Sequence, residues 1–483
     1  MQDDDWRYFQ SGEFRQLLRK YESAQKAGAP LYMDADELTD VAEYYMSQQR
    51  EKEATAAIAL AVDLHPDSID PQIFLARQQM FHGNLAEANH ICDEISDQSD
   101  REVYFLRAEL LIRAQKTDEA DRLLDEALQS MTDEPELFIY DSAGVFMDYA
   151  LWPQARKWVE KLKQRFPDYP DARFLEADLL VSTGDNEQAE PILNAILDAD
   201  PYDTRAWNLL ADAQSALEKY QEAVDSAEYV LAIEENDRHA LLTKANAFFH
   251  LNRLEEAHDI YAAVLETDKS DETIYYMDAV CLTNLERFEE AAELLRRANK
   301  VGDGFSPEQV HIYLQQAYVE SKLHHMRDAI AALDAAKDLA SDEVNFEYEL
   351  LLGQIHLENG FYAEAEEYFK QAIDVSPDKK NTLVLIGISF GECLYYKESA
   401  EILEATASIF GEEAQKAALP YLALCYYNLH NDKNYLKYLK KAAEVNRETT
   451  EYLFGSYFPG VRPEEYYTYA FKAIHGHFPK QKG

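Results

Sequence analysis

The chain has 483 residues, with 46 Lys plus Arg against 91 Asp plus Glu and a formal charge of −45. That balance excludes a nucleic-acid binder, because phosphate contacts need clustered Lys and Arg. With 47% apolar residues, 32 Tyr and 22 Phe, the chain carries too much core-forming material to be a disordered acidic solvator.

The chain opens Met1-Gln2-Asp3-Asp4-Asp5-Trp6, with neither the basic region nor the apolar core of a secretion signal, so no secretion is expected. With only 16 Gly and 15 Pro, and no period-two runs of Val, Ile and Thr, the texture predicts an all-α chain. The longest uncharged stretch, Ala417 to Asn431, has 15 residues, short of the about 18 that a membrane span needs, so no membrane partner is expected. Cys92, Cys281, Cys393 and Cys425 lie far apart without a Cys-x-x-Cys pair. They read as reduced packing residues in a cytoplasmic protein, with no zinc site.

Small residues recur at Ala42, Ala76, Ala108, Ala143, Ala177, Ala211, Ala245, Ala279, Ala317, Gly353, Gly387 and Ala423, with gaps of 32 to 38. A second series follows each by 12 residues: Ala54, Ala88, Ala120, Ala155, Ala189, Ala223, Ala257, Ala291, Ala329 and Ala365, then Ser399 and Tyr435, where the rule weakens. Turn residues such as Gly83-Asn84, Gly184-Asp185 and Asn359-Gly360 lie between the series, and Pro66, Pro167, Pro201 and Pro377 follow the second. Each unit therefore reads as a helix, a tight turn and a second helix. Ala or Gly marks a close helix crossing, where a larger side chain would force the backbones apart.

Set with the first small residue at position 8, the fifth unit runs from Pro170 with Ala177 at 8, Gly184 at 15, Ala189 at 20 and Pro201 at 32. The sixth puts Trp207 at 4, Leu210 at 7, Tyr220 at 17 and Ala223 at 20. This pattern resembles the tetratricopeptide repeat. The resemblance implies a right-handed superhelical solenoid of antiparallel helix pairs, with a concave groove lined by the first helix of each pair. Twelve units cover residues 35–449. Residues 1–34, with Gly12-Glu13-Phe14, Leu17, Tyr21 and Ala24, look like a degenerate half-repeat or cap. Repeats 1–8 occupy 35–305, and the less regular repeats 9–12 occupy 306–449. The stretch Gly302-Asp303-Gly304-Phe305-Ser306-Pro307 between them is a longer inter-repeat loop or a hinge. Residues 450–483 hold nine aromatics, Tyr452, Phe454, Tyr457 and Phe458 among them, and are expected to cap the last repeat rather than bind a partner.

Catalysis has no visible carrier. Gly387-Ile388-Ser389-Phe390-Gly391 matches the Gly-x-Ser-x-Gly pattern of a hydrolase elbow, yet that chemistry needs a strained strand-to-helix turn, and Gly387 is position 8 of a helix. His475-Gly476-His477 lacks a carboxylate or Cys at ligand spacing. No phosphate loop or dinucleotide fingerprint is present. The chain is read as non-enzymatic, without metal or cofactor; a hydrolase or regulator acting through Ser389 or the aromatic C-terminal segment is the alternative.

The family's groove uses positions 2, 5, 9 and 12, which lie roughly 40 to 120° to one side of position 8. In the first six repeats these positions hold eight acids, Asp36, Glu43, Asp70, Glu102, Glu109, Asp171, Asp178 and Asp212, against the ~5 that composition alone would give. In the last six they hold Glu347 and otherwise run to residues such as Leu314, Tyr318, Leu350, Leu357, Val384 and Ile388. Phe105, Tyr140, Phe174, Phe249 and Tyr276 interleave as stacking surfaces. Some chaperone-adaptor members grip a partner's terminal carboxylate with Lys and Asn at positions 5 and 9. Asn208 and Asn246 fall there, but no Lys does, which argues against that partner class. The expected function is a scaffold that binds a protein or peptide segment, basic in character, in the groove. Residues 414–483 carry +4 and the middle of the chain −48, so a second copy docking head to tail is a further candidate partner.

Overall fold

The computed structural model describes residues 8–9, 11–27, 31–48, 50–267, 269–302, 307–339 and 345–477. It divides into two compact units, Met1–Leu251 and Asn252–Gly483, and the described residues form helices and no strands. The loop at 303–306, where a hinge was considered, lies outside the described residues. No described helix is long and apolar enough to cross a membrane.

In the first unit α1 (Gly12–Ala27) precedes six helix pairs. These are α2/α3 (Ala35–Ser47, Glu51–Leu64), α4/α5 (Ile69–Phe81, Leu85–Glu94), α6/α7 (Arg101–Arg113, Thr117–Ser130), α8/α9 (Pro135–Asp148, Trp152–Arg165), α10/α11 (Ala172–Ser182, Asn186–Ala199) and α12/α13 (Thr204–Ala216, Tyr220–Ile233), followed by α14 (Arg238–His250). The second unit starts with α15 (Leu254–Thr267). It continues with α16/α17 (Glu272–Asn284, Phe288–Val301), α18/α19 (Pro307–Lys322, Met326–Leu339), α20/α21 (Asn345–Glu358, Tyr362–Val375), α22/α23 (Lys379–Glu392, Tyr396–Phe410) and α24/α25 (Glu412–Asn428, Asp432–Val445). It ends with α26 (Arg447–Phe454) and α27 (Tyr466–His475). Within each unit consecutive pairs stack, and first helices also touch the first helices of the next pair.

The small-residue series sits where the helices cross. Ala211 and Ala223, like the other alanines of both series, are 0% exposed. At Gly353 an added Cβ would stand 2.5 Å from the Phe369 ring, and at Gly387 2.7 Å from Leu403 Cδ2. In those two repeats glycine leaves the space that the position-24 side chain occupies. Where Ser399 replaces the second alanine, its hydroxyl donates to the Gly387 carbonyl at 2.6 Å, so the buried oxygen is satisfied within the same repeat.

The turn inside each repeat is also shared. Every described position-15 residue has a left-handed backbone, from Gly83 (φ 76°) and Gly184 (82°) to Gln115 (61°), Glu218 (60°) and Leu394 (69°). Its own amide and the next close the helix end: Gly83 N–H donates to the Met80 carbonyl at 3.1 Å and Asn84 N–H to the Gln79 carbonyl at 2.9 Å, the paired bonds of a Schellman cap. Asp100, Asp203, Asp237 and Asp378 cap the following first helices through side-chain oxygens. Part of the acid excess therefore serves helix starts.

Both ends are covered. Phe14 and Tyr21 of α1 are buried against Leu38 and Val41. Phe454 and Tyr466 lie in one cluster with Leu422 and Leu439, so the aromatic segment closes the apolar face of the last repeat as a solenoid end requires. All four cysteines are free thiols, and Cys92, Cys281 and Cys425 are buried.

Candidate protein-binding face

On a first helix, positions 5 and 12 lie within about 60° of position 8, whereas 9, 2, 13 and 6 lie about 100 to 160° away. Neighbouring first helices cover much of the nearer pair and leave most residues at 9, 2 and 13 open, whereas position 6 ranges from the buried Leu106 and Leu175 to the half-buried Asp40 and Asp141. Phe105 (position 5) is 3% exposed and stacks on Phe138 with ring centroids 5.1 Å apart. Asn208, also at position 5, is 5% exposed, its amide 3.4 Å from Asp237. These two expected groove residues are core residues of the repeat stack. So are Leu314, Leu357 and Val384, which removes much of the apolar surface expected in the later repeats.

The open positions concentrate charge in the first unit. A cleft of about 650 Å³ over repeats 1–3 is lined by Asp36, Asp40, Glu43, Asp70 and Glu102, by Ile73, Phe74 and Phe81, and by one cation, Arg77. Burial, reinforced by Asp36, raises the Asp70 carboxyl above its ordinary range. Burial also raises Glu102, against the opposing pull of Arg77. Phe81, at position 13, is 73% exposed.

Farther along the same unit the acids divide into two kinds. Some have a partner on the adjacent repeat: Glu109 holds Arg77 at 2.7 Å, Asp171 holds Arg205 at 3.0 Å, and Asp212 accepts a hydrogen bond from His239 Nε2 at 2.9 Å. Others are crowded and partly desolvated. Burial raises Asp141 to about 6, with Glu102 adding and Arg101 opposing. Burial likewise raises Asp148, next to Glu109, and Asp178, next to Asp148 and Asp212. A carboxylate pushed up by burial and by like charges is one that an added cation would relieve.

The aromatic positions sit among them. Tyr140 is half-buried beside Tyr169 at 6.1 Å, its hydroxyl pushed up to about 12 mainly by burial and then by Asp171. Phe174 lies under the Arg205 guanidinium at 4.9 Å. Asn246 is exposed and Phe249 half-buried on α14. In the second unit Tyr276 is half-buried, and Tyr318 lies 5.0 Å beneath Lys322, whose ammonium pairs with Glu358 at 3.0 Å and Glu392 at 3.2 Å. Asp141, Asp148 and Phe81 were missed by the sequence reading, which did not consider positions 6 and 13. Their signal was the angular distance from position 8.

Ser389 lies inside α22, 5% exposed, and donates to the Leu385 carbonyl one turn earlier at 3.1 Å, so it stands in no strand-to-helix elbow. His475 donates from Nδ1 to the Phe471 carbonyl at 3.1 Å and stacks on that ring. Among the described residues Glu320, His325 and Asp328 gather their ligand atoms closely. Both Glu320 oxygens are already occupied, one by Arg296 at 2.8 Å and the other by His325 at 2.9 Å, which is the geometry of a buried ion-pair hub.

Models of the tetratricopeptide repeat match residues 141–213, 215–277 and 314–380. No curated protein sequence matches the chain. Among solved structures, the chain is similar to yeast Tom70 at 15% identity and a TM-score of 0.41, covering 88% of this chain and 94% of that one. A tetratricopeptide repeat protein from Parabacteroides merdae gives 14% identity and a TM-score of 0.41, covering 53% and 98%. YrrB, described as a TPR protein with an unusual peptide-binding site, gives 17% and 0.34, covering 40% and 95%. The matched segments are tetratricopeptide repeats, and the paired helices with alanine crossings continue the same arrangement through the other repeats, which supports a protein–protein interaction scaffold.

Proposed function

We propose that the chain is a non-enzymatic, cytoplasmic scaffold that holds a basic segment of a partner protein on the open face of its first helices, with repeats 1–3 as the main seat. The observation that carries this reading is the cleft in which Asp36, Asp40, Glu43, Asp70 and Glu102 surround Phe74 and Phe81. A segment alternating cationic and apolar side chains would place ammonium or guanidinium groups among crowded carboxylates and apolar groups on the two rings. The crowding supplies the preference, because binding lifts a repulsion present in the free protein.

The test is fluorescence anisotropy of a labelled eight-residue peptide alternating lysine and leucine, titrated with the full chain at low and high salt. Asp70→Lys with Glu102→Lys should weaken binding about tenfold, or about 1.4 kcal/mol, with the helical circular dichroism retained. High salt should weaken the parent in the same direction, since exposed charges are screened beyond about 8 Å at physiological ionic strength. Affinity indifferent to both changes would remove the acidic face from the account.

A further inference from the structure

The opposite end of the chain carries the reverse charge in a different setting. Between α25, the second helix of the last repeat, and α27, the capping helix, lies a cleft of about 710 Å³ lined by Lys433, Lys437, Lys440 and Lys441 on one wall and by Tyr467 and Phe471 on the other. The cleft belongs to a second helix and a cap, so it is separate from the first-helix face described above. All four lysines are exposed, and none has an ion-pair partner among the described residues. By contrast Lys157, Lys163, Lys219 and Lys322 are each paired with a carboxylate. Lys437 reaches only the Tyr438 hydroxyl, at 3.3 Å, and Lys440 lies 5.5 Å from the Tyr467 ring. In a chain of net charge −45, four unneutralised ammonium groups on one helix are an unspent attraction for an anion.

We infer that this cleft binds a short extended acidic segment of a partner protein, with carboxylates toward α25 and apolar side chains toward α27. Lys433, Lys437 and Lys441 recur at every fourth residue, so they stand about 6 Å apart along one side of the helix. Tyr467 and Phe471 repeat that step on the facing wall. Alternate side chains of an extended chain stand about 6.6 to 6.8 Å apart and point to opposite sides. A segment with an acid at every second residue therefore meets successive ammonium groups on one wall and the two rings on the other. A lone phosphate would need donors converging on one point, whereas these are strung over about 12 Å of helix. Asp432 and Glu444 stand at the two ends of the lysine row and limit the segment to a few residues. A broad anionic surface, such as a membrane or a nucleic acid, would meet the repulsion of the rest of the molecule.

The experiment titrates the full chain into three labelled probes: a six-residue peptide alternating glutamate and leucine, one with three glutamates followed by three leucines, and the lysine–leucine peptide used above. The alternating acidic probe should bind at least tenfold more tightly than the blocked one. Lys437→Glu with Lys441→Glu should weaken it at least tenfold, whereas Lys397→Glu, on an exposed face elsewhere in the unit, should leave it unchanged. The lysine–leucine probe should bind the double variant as before, which separates this site from the acidic cleft. If circular dichroism shows the double variant unfolded, Lys437→Gln with Lys441→Gln takes its place. The inference is overturned if the two acidic patterns bind equally, if charge reversal has no effect, or if tripolyphosphate displaces the peptide at equal concentration. It is also overturned if sedimentation shows that the lysine variants abolish a self-associated form while the peptide does not bind, since a second copy would then be the occupant.

Discussion

In the first unit positions 2 and 9 hold eight acids, Asp36, Glu43, Asp70, Glu102, Glu109, Asp171, Asp178 and Asp212, beside Arg77 and Arg205, whereas in the second unit they hold Glu347 and otherwise residues such as Thr273, Val280, His311, Tyr318 and Ile388. At positions 8 and 20 both units keep small buried residues at most crossings, with Ala211 and Ala223 in one and Ala317 and Ala329 in the other, all 0% exposed. Crossing positions are constrained by backbone separation, and open positions by what approaches them. The two sets can diverge because they lie on different sides of one helix. An acidic and a less charged face can thus be carried on one architecture without altering its core.

The largest effect that could break this comparison concerns the shared core. Ala211→Leu in the first unit and Ala317→Leu in the second should each cost roughly 2 to 3 kcal/mol, because a side chain three carbons larger enters a crossing with no room. Glu43→Gln, on the open face, should stay within about 0.5 kcal/mol. Denaturant unfolding followed by circular dichroism measures all three. If the alanine variants in the two units differed widely, or Glu43→Gln cost as much, the separation of core and face positions would be wrong.

The repeat was legible in the sequence because its signal is a distance along the chain: two small-residue series held 12 apart survive insertions between repeats. The departures were legible as departures, yet their reasons needed the third dimension. Gly353 and Gly387 admit Phe369 and Leu403, and the Ser399 hydroxyl closes on the Gly387 carbonyl. The face was half legible. Angles on one helix identify a side, but not how much of it the next first helix covers. For that reason Phe105 and Asn208 were placed in the groove and are buried, while Asp141, Asp148 and Phe81 were overlooked and are open to it. Ion pairs such as Arg77 with Glu109 and Arg205 with Asp171 join residues 32 and 34 apart, one repeat away, and no single-helix projection brings them together.

A smaller effect sharpens the contrast in charge. Asp141 occupies position 6 of repeat 4, where repeat 9 has the uncharged Gln315. Burial raises the Asp141 carboxyl from 3.8 to about 6, so the fold favours its neutral form. Its contribution to stability is complete below pH 3.8 and is lost as pH rises through about 6, the sign expected when the folded state binds the proton more tightly. Asp141→Asn should therefore be more stable than the parent at pH 7, by on the order of 1 kcal/mol after allowance for residual solvent. That advantage should shrink as pH falls from 7 to 5. Gln315→Asn should show no such pH dependence. A gain for Asp141→Asn that is constant with pH would place the cause in packing instead of charge.

The smallest expected effect lies in the turn common to both units. Position 15 is left-handed whether it is Gly184 (φ 82°) in the first unit or Leu394 (φ 69°) in the second. A non-glycine residue pays roughly 1 to 2 kcal/mol for that conformation, and glycine loses part of the advantage through the greater freedom of its unfolded chain. Leu394 is 70% exposed, so its side chain contributes little burial, while its amide donates to the Gly391 carbonyl at 3.1 Å whatever the side chain. Leu394→Gly should accordingly stabilise the second unit by about 0.5 to 1 kcal/mol. The reverse exchange, Gly184→Ala, should cost about 1 kcal/mol, since no atom stands within 4 Å of the added Cβ and only the backbone is strained. Paired melting curves of the two variants decide the matter. Destabilisation by Leu394→Gly would mean that the leucine side chain, rather than the turn geometry, holds that corner of the repeat.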